Sequence, residues 1–186
     1  MSIADKVAAL QARLNAPLTA WRETQMPRQA LSPAIMSGAG LRAGLQLHVA
    51  AEAELTGHLS SPRDRLLELE VQNTRPGAWF GLHLPLDLPD LSDVAWLGFA
   101  ARSNASQVMA LRVCLRSGLG PDHGFQDLFF DRHVLSQAGQ SDHLDMIAPN
   151  QQPELPLQAP WREMILFLPP DQSFDWALQD LRFFVL

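Results

Sequence analysis

Nine side chains in the middle of the chain could do chemistry together. If four alternating stretches at 65–73, 79–86, 94–102 and 108–116 share one sheet, its outer face carries Glu68, Glu70, Gln72, Trp79, His83, Trp96, Arg102, Arg112 and Arg116. Aromatic rings supply flat apolar platforms, and carboxylates and guanidiniums supply charge-assisted hydrogen bonds. A molecule with an apolar ring face and many hydroxyls suits that mixture, which is the chemistry of a saccharide. The expected ligand-binding residues are Trp79, His83, Trp96, Arg102 and Arg112. The same face also carries Gly98, Ala100, Val108 and Ala110, which leave room for another element to lie close. The second outcome is therefore a covered face, closed by an N-terminal arm bearing Trp21 or by a second copy of the chain.

Other groupings point to weaker chemistry. Glu68 and Glu70 stand at i and i+2 on one strand face, ~6–7 Å apart. Paired glycosidase carboxylates can sit at such a spacing, but solvated strand glutamates are far commoner. Asp122-His123, Asp131 with His133, and Asp142-His143 put three Asp/His groups in loop-like sequence. No H-x-H or H-E-x-x-H spacing accompanies them, so they read as surface polar residues and no metal ligand is assigned. Cys114 alternates with apolar strand positions and has no base beside it in sequence, so it reads as a small strand residue. The chain contains no G-x-S-x-G, P-loop or dinucleotide fingerprint. A catalytic site is accordingly not assigned.

The elements that must position these groups are mostly strands. The central stretch 94–116 alternates on both sides of a polar segment at Ser103–Ser106 and predicts two strands joined by a turn. RLLELEVQN at 65–73 and WFGLHLPL at 79–86 alternate cleanly. Further strands are expected at 45–51, within 125–135, at 162–169 and, after a separate segment Phe174 to Leu178, from Asp180 to Leu186. Residues 57–64 read as a loop, Ser136–His143 as a polar segment, and the proline-rich 148–160 as a long irregular connection. Ahead of all this, Ser2 can cap a helix whose stripe is Ile3, Val7, Leu10 and Leu14. Asn15 and Pro17 are expected to end it, with 17–40 running on as an extended arm. The helix stripe either packs on the body or pairs with a second copy. Eight to ten short strands without intervening helices predict an all-β, antiparallel β-sandwich at 41–186, preceded by an N-terminal helix and arm at 1–40.

The totals bound the class. The chain has 186 residues, 47% of them apolar, and a net charge of -6. It is long enough for one sizeable core. The acidic balance argues against a nucleic-acid partner. No stretch is long and apolar enough to span a bilayer, and the N-terminus does not read as an export signal, so a cytoplasmic protein is expected. One cysteine admits no intrachain disulfide.

The order WFGLHLPLDLPDLSDVAWLGFAARS, MALRVCLRS, a W-x-x-x-I-L-F-L-P strand at Trp161 and a final LQDLRFFVL resembles the galactose-binding-like jelly roll of many carbohydrate-binding modules. The resemblance covers about 41–186 and rests on strand lengths and apolar spacing. It implies a non-catalytic domain that binds a saccharide or similar ligand, or else a scaffold that dimerises or docks a partner. It also implies a structural calcium near the first and last strands, for which Glu52, Glu54 and Asp180 match by position. Secreted modules of this kind carry an export signal and are joined to an enzyme, and this chain shows neither.

Overall fold

The computed structural model describes residues 2–38, 41 and 44–186, and of Ile3 the backbone alone. It is an antiparallel β-sandwich of two six-stranded sheets, as the alternation predicts. In chain order come a helix α1 (Ile3–Thr24), strand β1 (Met26–Ala30), a short helix α2 (Pro33–Met36), β2 (Gln46–Val49), β3 (Glu54–Ser61), β4 (Leu67–Arg75) and β5 (Phe80–Leu86). Then follow β6 (Leu97–Ala105), β7 (Met109–Gly118), β8 (Phe125–Phe129), β9 (Val134–Ser136), β10 (Ser141–Ile147), β11 (Arg162–Leu168) and β12 (Phe174–Val185). The first sheet runs β1-β3-β4-β12-β6-β10. The second runs β2-β5-β11-β7-β8, with β9 also pairing with β7.

Period-two alternation builds the interior. Leu67, Leu69 and Val71 of β4 and Leu97, Phe99 and Ala101 of β6 face Phe80, Leu82 and Leu84 of β5 and Leu111, Val113 and Leu115 of β7. Long β12 serves the core along its whole length because of a bulge between Leu178 and Asp180. The extra residue restores phase, so that Trp176 and Leu178 before it and Leu181 and Phe183 after it all point inward.

The central hairpin expected at 94–116 does not form. β6 pairs with β12 and β10 in the first sheet, while β7 pairs with β11, β8 and β9 in the second. The polar residues after Ala105 cross from one sheet to the other. Alternation reports which side chains share a face of one strand. It does not report which strands are neighbours, and here both edges of β6 are taken by strands distant in sequence.

The N-terminal region also departs from expectation. Helix α1 continues through Pro17 to Thr24, with the Ser2–Asp5 capping box formed at its start. An interior proline costs ~3 kcal/mol. Leu14, Leu18 and Trp21, at i, i+4 and i+7, are all buried, and each such burial contributes roughly 1.5–3 kcal/mol, so the packing wins. Val7 and Leu10 pack beside them, and the Ile3 side chain lies outside the described ones. Trp21 is therefore not on an arm over a sheet face. It sits in the core and donates its indole N–H to the Leu66 carbonyl. β4 stops pairing with β12 at Leu67–Leu178, and α1 covers the β12 edge beyond that point. Asn15 there replaces a missing strand. Its Nδ2 donates to the Phe183 carbonyl at 2.8 Å and its Oδ1 accepts from the Phe183 N–H at 2.9 Å.

Residues 26–30, expected in the arm, form edge strand β1 of the first sheet. β3 replaces the loop expected at 57–64, and β10 emerges from the polar segment. β3 hides because Gly57 adopts φ +142 against the Glu70 carbonyl, a conformation that strands seldom contain. β1 and β10 hide because edge strands bury little and can be polar. Among the described residues no helix is long and apolar enough to cross a membrane.

Candidate functional site

The sheet topology divides the predicted set. Arg102 lies on the outer face of the first sheet, and Trp96 precedes β6 in a two-bond ladder with Leu186. His83 and Arg112 lie on the outer face of the second sheet. Trp79, in register with Ala50 just before β5, shares their side by alternation. The five residues therefore occupy opposite outer faces of the sandwich, and the single mixed face is not formed. Glu68, Glu70 and Gln72 go with Arg102, while Arg116 goes with His83.

The second sheet's outer face holds the more complete arrangement. Across its strands, ~4.8 Å apart, one row reads Pro85–Glu163–Arg116–Asp127 and the next Gln46–His83–Ile165–Cys114–Phe129. A third reads His48–Gly81–Phe167–Arg112. Beyond Arg116, Trp161 lies against Gly118 and opposite Phe125, where any β-carbon at 118 would strike the indole. Trp161, Phe125 and Phe129 are 44%, 50% and 36% exposed, so three open rings share this sheet face.

Phe129 and Phe125 each have a guanidinium stacked over one ring face. The Arg112 guanidinium lies 3.9 Å from the Phe129 ring centre and the Arg116 guanidinium 3.8 Å from that of Phe125. Cation–π contacts of this kind hold a ring in place while leaving its other side free. Phe167 sits 5.9 Å from Phe129, centre to centre.

A polar network runs along the same face. Arg116 grips Asp127 with two bonds, Nε to Oδ1 at 2.7 Å and Nη2 to Oδ2 at 2.8 Å. Glu163 Oε1 lies 3.8 Å from Arg116 Nη1 and 3.1 Å from His83 Nδ1. Bidentate pairing to Asp127 raises the affinity of Arg116 for its proton and keeps the network charged. His83 is 7% exposed, and its Nε2 is buried with no hydrogen-bond partner among the described residues. That nitrogen faces the gap left by Gly81, where a β-carbon would lie 2.9 Å from it. His48 packs edge-on against the His83 ring at 4.6 Å. Burial, then the neighbouring His83, lowers the His48 pKa, so His48 is neutral at pH 7. Burial pushes the Cys114 thiol up to about 12, consistent with an inert strand residue.

The carboxylates elsewhere are engaged. Glu70 is bound by Arg28, which holds its carboxyl below the usual range, and Glu68 accepts from Arg65 and Ser60. Both carboxylates are taken up by neighbouring side chains. Of the residues matched to a calcium site, Glu52 accepts the Ala78 N–H, Glu54 pairs with Arg75, and Asp180 is clamped by Arg22 and Arg182. Each has its own partner, and among the described residues no three His, Cys, Asp or Glu side chains gather as a group that could hold a metal ion.

Sequence reasoning missed Trp161, Glu163, Phe167, Phe125, Asp127 and Phe129. The alternation in WREMILFL and FQDLFF carried the signal. Without the pairing of β11 and β8 to β7, nothing connected those residues to Arg112 and Arg116.

No family model matches the sequence, and no curated protein matches it. Among solved structures, the carbohydrate-binding module CtCBM11, studied in solution, is 12% identical, with a TM-score of 0.50 over 87% of this chain and 96% of that one. A CBM4 structure is 8% identical, with a TM-score of 0.49 over 76% of this chain and 87% of that one. The CBM22-1 xylan-binding domain of Paenibacillus barcinonensis Xyn10C is 10% identical, with a TM-score of 0.45 over 85% of each chain. At these identities the likeness is one of fold. The chain has a jelly-roll sandwich fold like that of carbohydrate-binding modules.

Proposed function

We propose that the chain is a non-catalytic domain that binds a saccharide across the outer face of the second sheet. The observation that carries the reading is the gathering of open rings (Trp161, Phe125 and Phe129) on the same sheet face as the Arg116–Asp127–Glu163–His83 network. The rings would pack on the apolar faces of sugar units. Hydroxyls would meet Arg112, the network carboxylates and the unpartnered His83 Nε2. The fold shared with CtCBM11 supports the same reading.

The test is titration calorimetry against a panel of soluble polysaccharides, with paired alanine variants on the two faces. Trp161→Ala and Phe129→Ala should each weaken binding about tenfold, ~1.4 kcal/mol. Trp96→Ala, on the first sheet, should leave it unchanged. A panel with no binder, or equal losses from Trp96→Ala and Trp161→Ala, would sink the proposal.

A further inference from the structure

Five of the chain's thirteen arginines line a single recess of about 470 Å³ on the first sheet. The fold explains the gathering. Past Leu67–Leu178, β12 has no β4 neighbour, and the bulge turns both Gln179 and Asp180 to the outer face. The end of α1 brings Arg22 to one side of this step, and the β3–β4 turn brings Arg63 and Arg65. Arg102 of β6 and Arg182 of β12 close it.

Among the described residues, the only carboxylates on the wall are Asp64 and Asp180. Asp180 is already shared. Arg22 donates to its Oδ1, and Arg182 Nε donates to Oδ2 at 2.9 Å. Arg22 is anchored further by the Leu181 carbonyl at 2.7 Å. The other cations are loosely held. Arg65 pairs with Glu68 and Arg102 with Asp142, both in solvent-exposed pairs, and Arg63 has no ion pair among the described residues. Exposed pairs of this kind contribute ~0–1 kcal/mol, so an incoming anion can displace them at small cost. The volume lies within the range of small-molecule sites.

We propose that this recess binds a tetrahedral oxyanion, a phosphate or sulfate, carried on a small polar molecule. Guanidiniums form paired hydrogen bonds to such groups. A second carboxylate would offer two oxygens to Arg63, Arg65 and Arg102, whereas a tetrahedral oxyanion offers one to each. The proposal does not depend on the saccharide face, which lies on the opposite sheet.

The experiment is titration calorimetry and thermal shift at constant ionic strength, with glucose 6-phosphate, glucose 6-sulfate, inorganic phosphate, inorganic sulfate and glucose as probes. At least one ester should bind more tightly than glucose and raise the melting temperature further. The two esters separate phosphate from sulfate, and the inorganic ions show what the anion contributes alone. The R63Q/R102Q variant should weaken binding at least tenfold, and R75Q, at an exposed arginine away from the recess, should not change it. Should the double variant fail to fold, R63Q alone should still weaken binding about threefold. Failure of every anionic probe to bind, equal binding of glucose, or affinity unchanged in R63Q and in R63Q/R102Q overturns the proposal.

Discussion

At the scale of single residues, one buried arginine and two half-buried histidines make measurable commitments. Arg162 is 2% exposed and has no carboxylate among its hydrogen-bond partners. It donates instead to the carbonyls of Leu88, Pro156 and Leu157 and to the Ser117 hydroxyl, which ties the proline-rich connection to the sandwich. Burial lowers its pKa to about 10, so it stays charged at neutral pH. Arg162→Met strands those acceptors and should cost ~3 kcal/mol or more in urea unfolding. His48 and His143 should contribute to the pH dependence of stability. Burial lowers both below the ordinary 6.5, so the unfolded chain binds these protons more tightly than the folded one. Their contribution is therefore complete above pH 6.5 and is lost as pH falls toward the lowered folded values. The melting temperature should fall between pH 7 and pH 5.5, a window above that in which the carboxylates titrate. His48→Gln with His143→Gln should flatten that fall. A slope unchanged in the double variant would assign the effect to other groups.

At the scale of elements, α1 shows packing overriding local preference. Pro17 argues for a helix end, and three buried side chains that flank it, Leu14 before and Leu18 and Trp21 after, override it. Pro17→Ala should restore an interior N–H donor and raise stability by about 1–2 kcal/mol in chemical unfolding. Leu18→Ala removes a side chain that is 1% exposed and should cost about 2–5 kcal/mol. The contrast in sign tests whether the helix is held by its stripe. The strands read from sequence were mostly those with a strong apolar side: β4, β5, β6, β7, β11 and most of β12, with β2 and β8 placed as short strands. The strands that sequence did not reveal, β1, β3 and β10, are polar edges or carry a glycine at positive φ. Their pairing partners, and not their own composition, make them strands.

At the scale of the whole molecule, helix and sandwich share one core. Leu14, Leu18, Trp21 and Met26 belong to the same buried cluster as Phe99, Leu115 and Phe183. A chain begun at Leu41 would lose these side chains together with β1 and the cover on the β12 edge. It should melt far below the full chain or fail to fold cooperatively, as followed by circular dichroism and size exclusion. A truncation that melts like the full chain would show the helix to be an accessory.

The sequence by itself determined the fold class, since period-two apolar patterns without crossover helices leave an antiparallel sandwich as the way to bury them. It also determined that β4, β5, β6 and β7 each present one polar side, and so supplied the right kinds of residue for a ligand surface. Only the tertiary structure decided which polar sides join. His83 and Arg112 came together with Phe129 and Trp161, while Arg102 went to a recess of arginines on the other sheet. The reason is physical. Alternation along a strand is set by the pleat of a single chain segment. Adjacency across strands is set by hydrogen bonds between segments distant in sequence, and no residue carries that information alone.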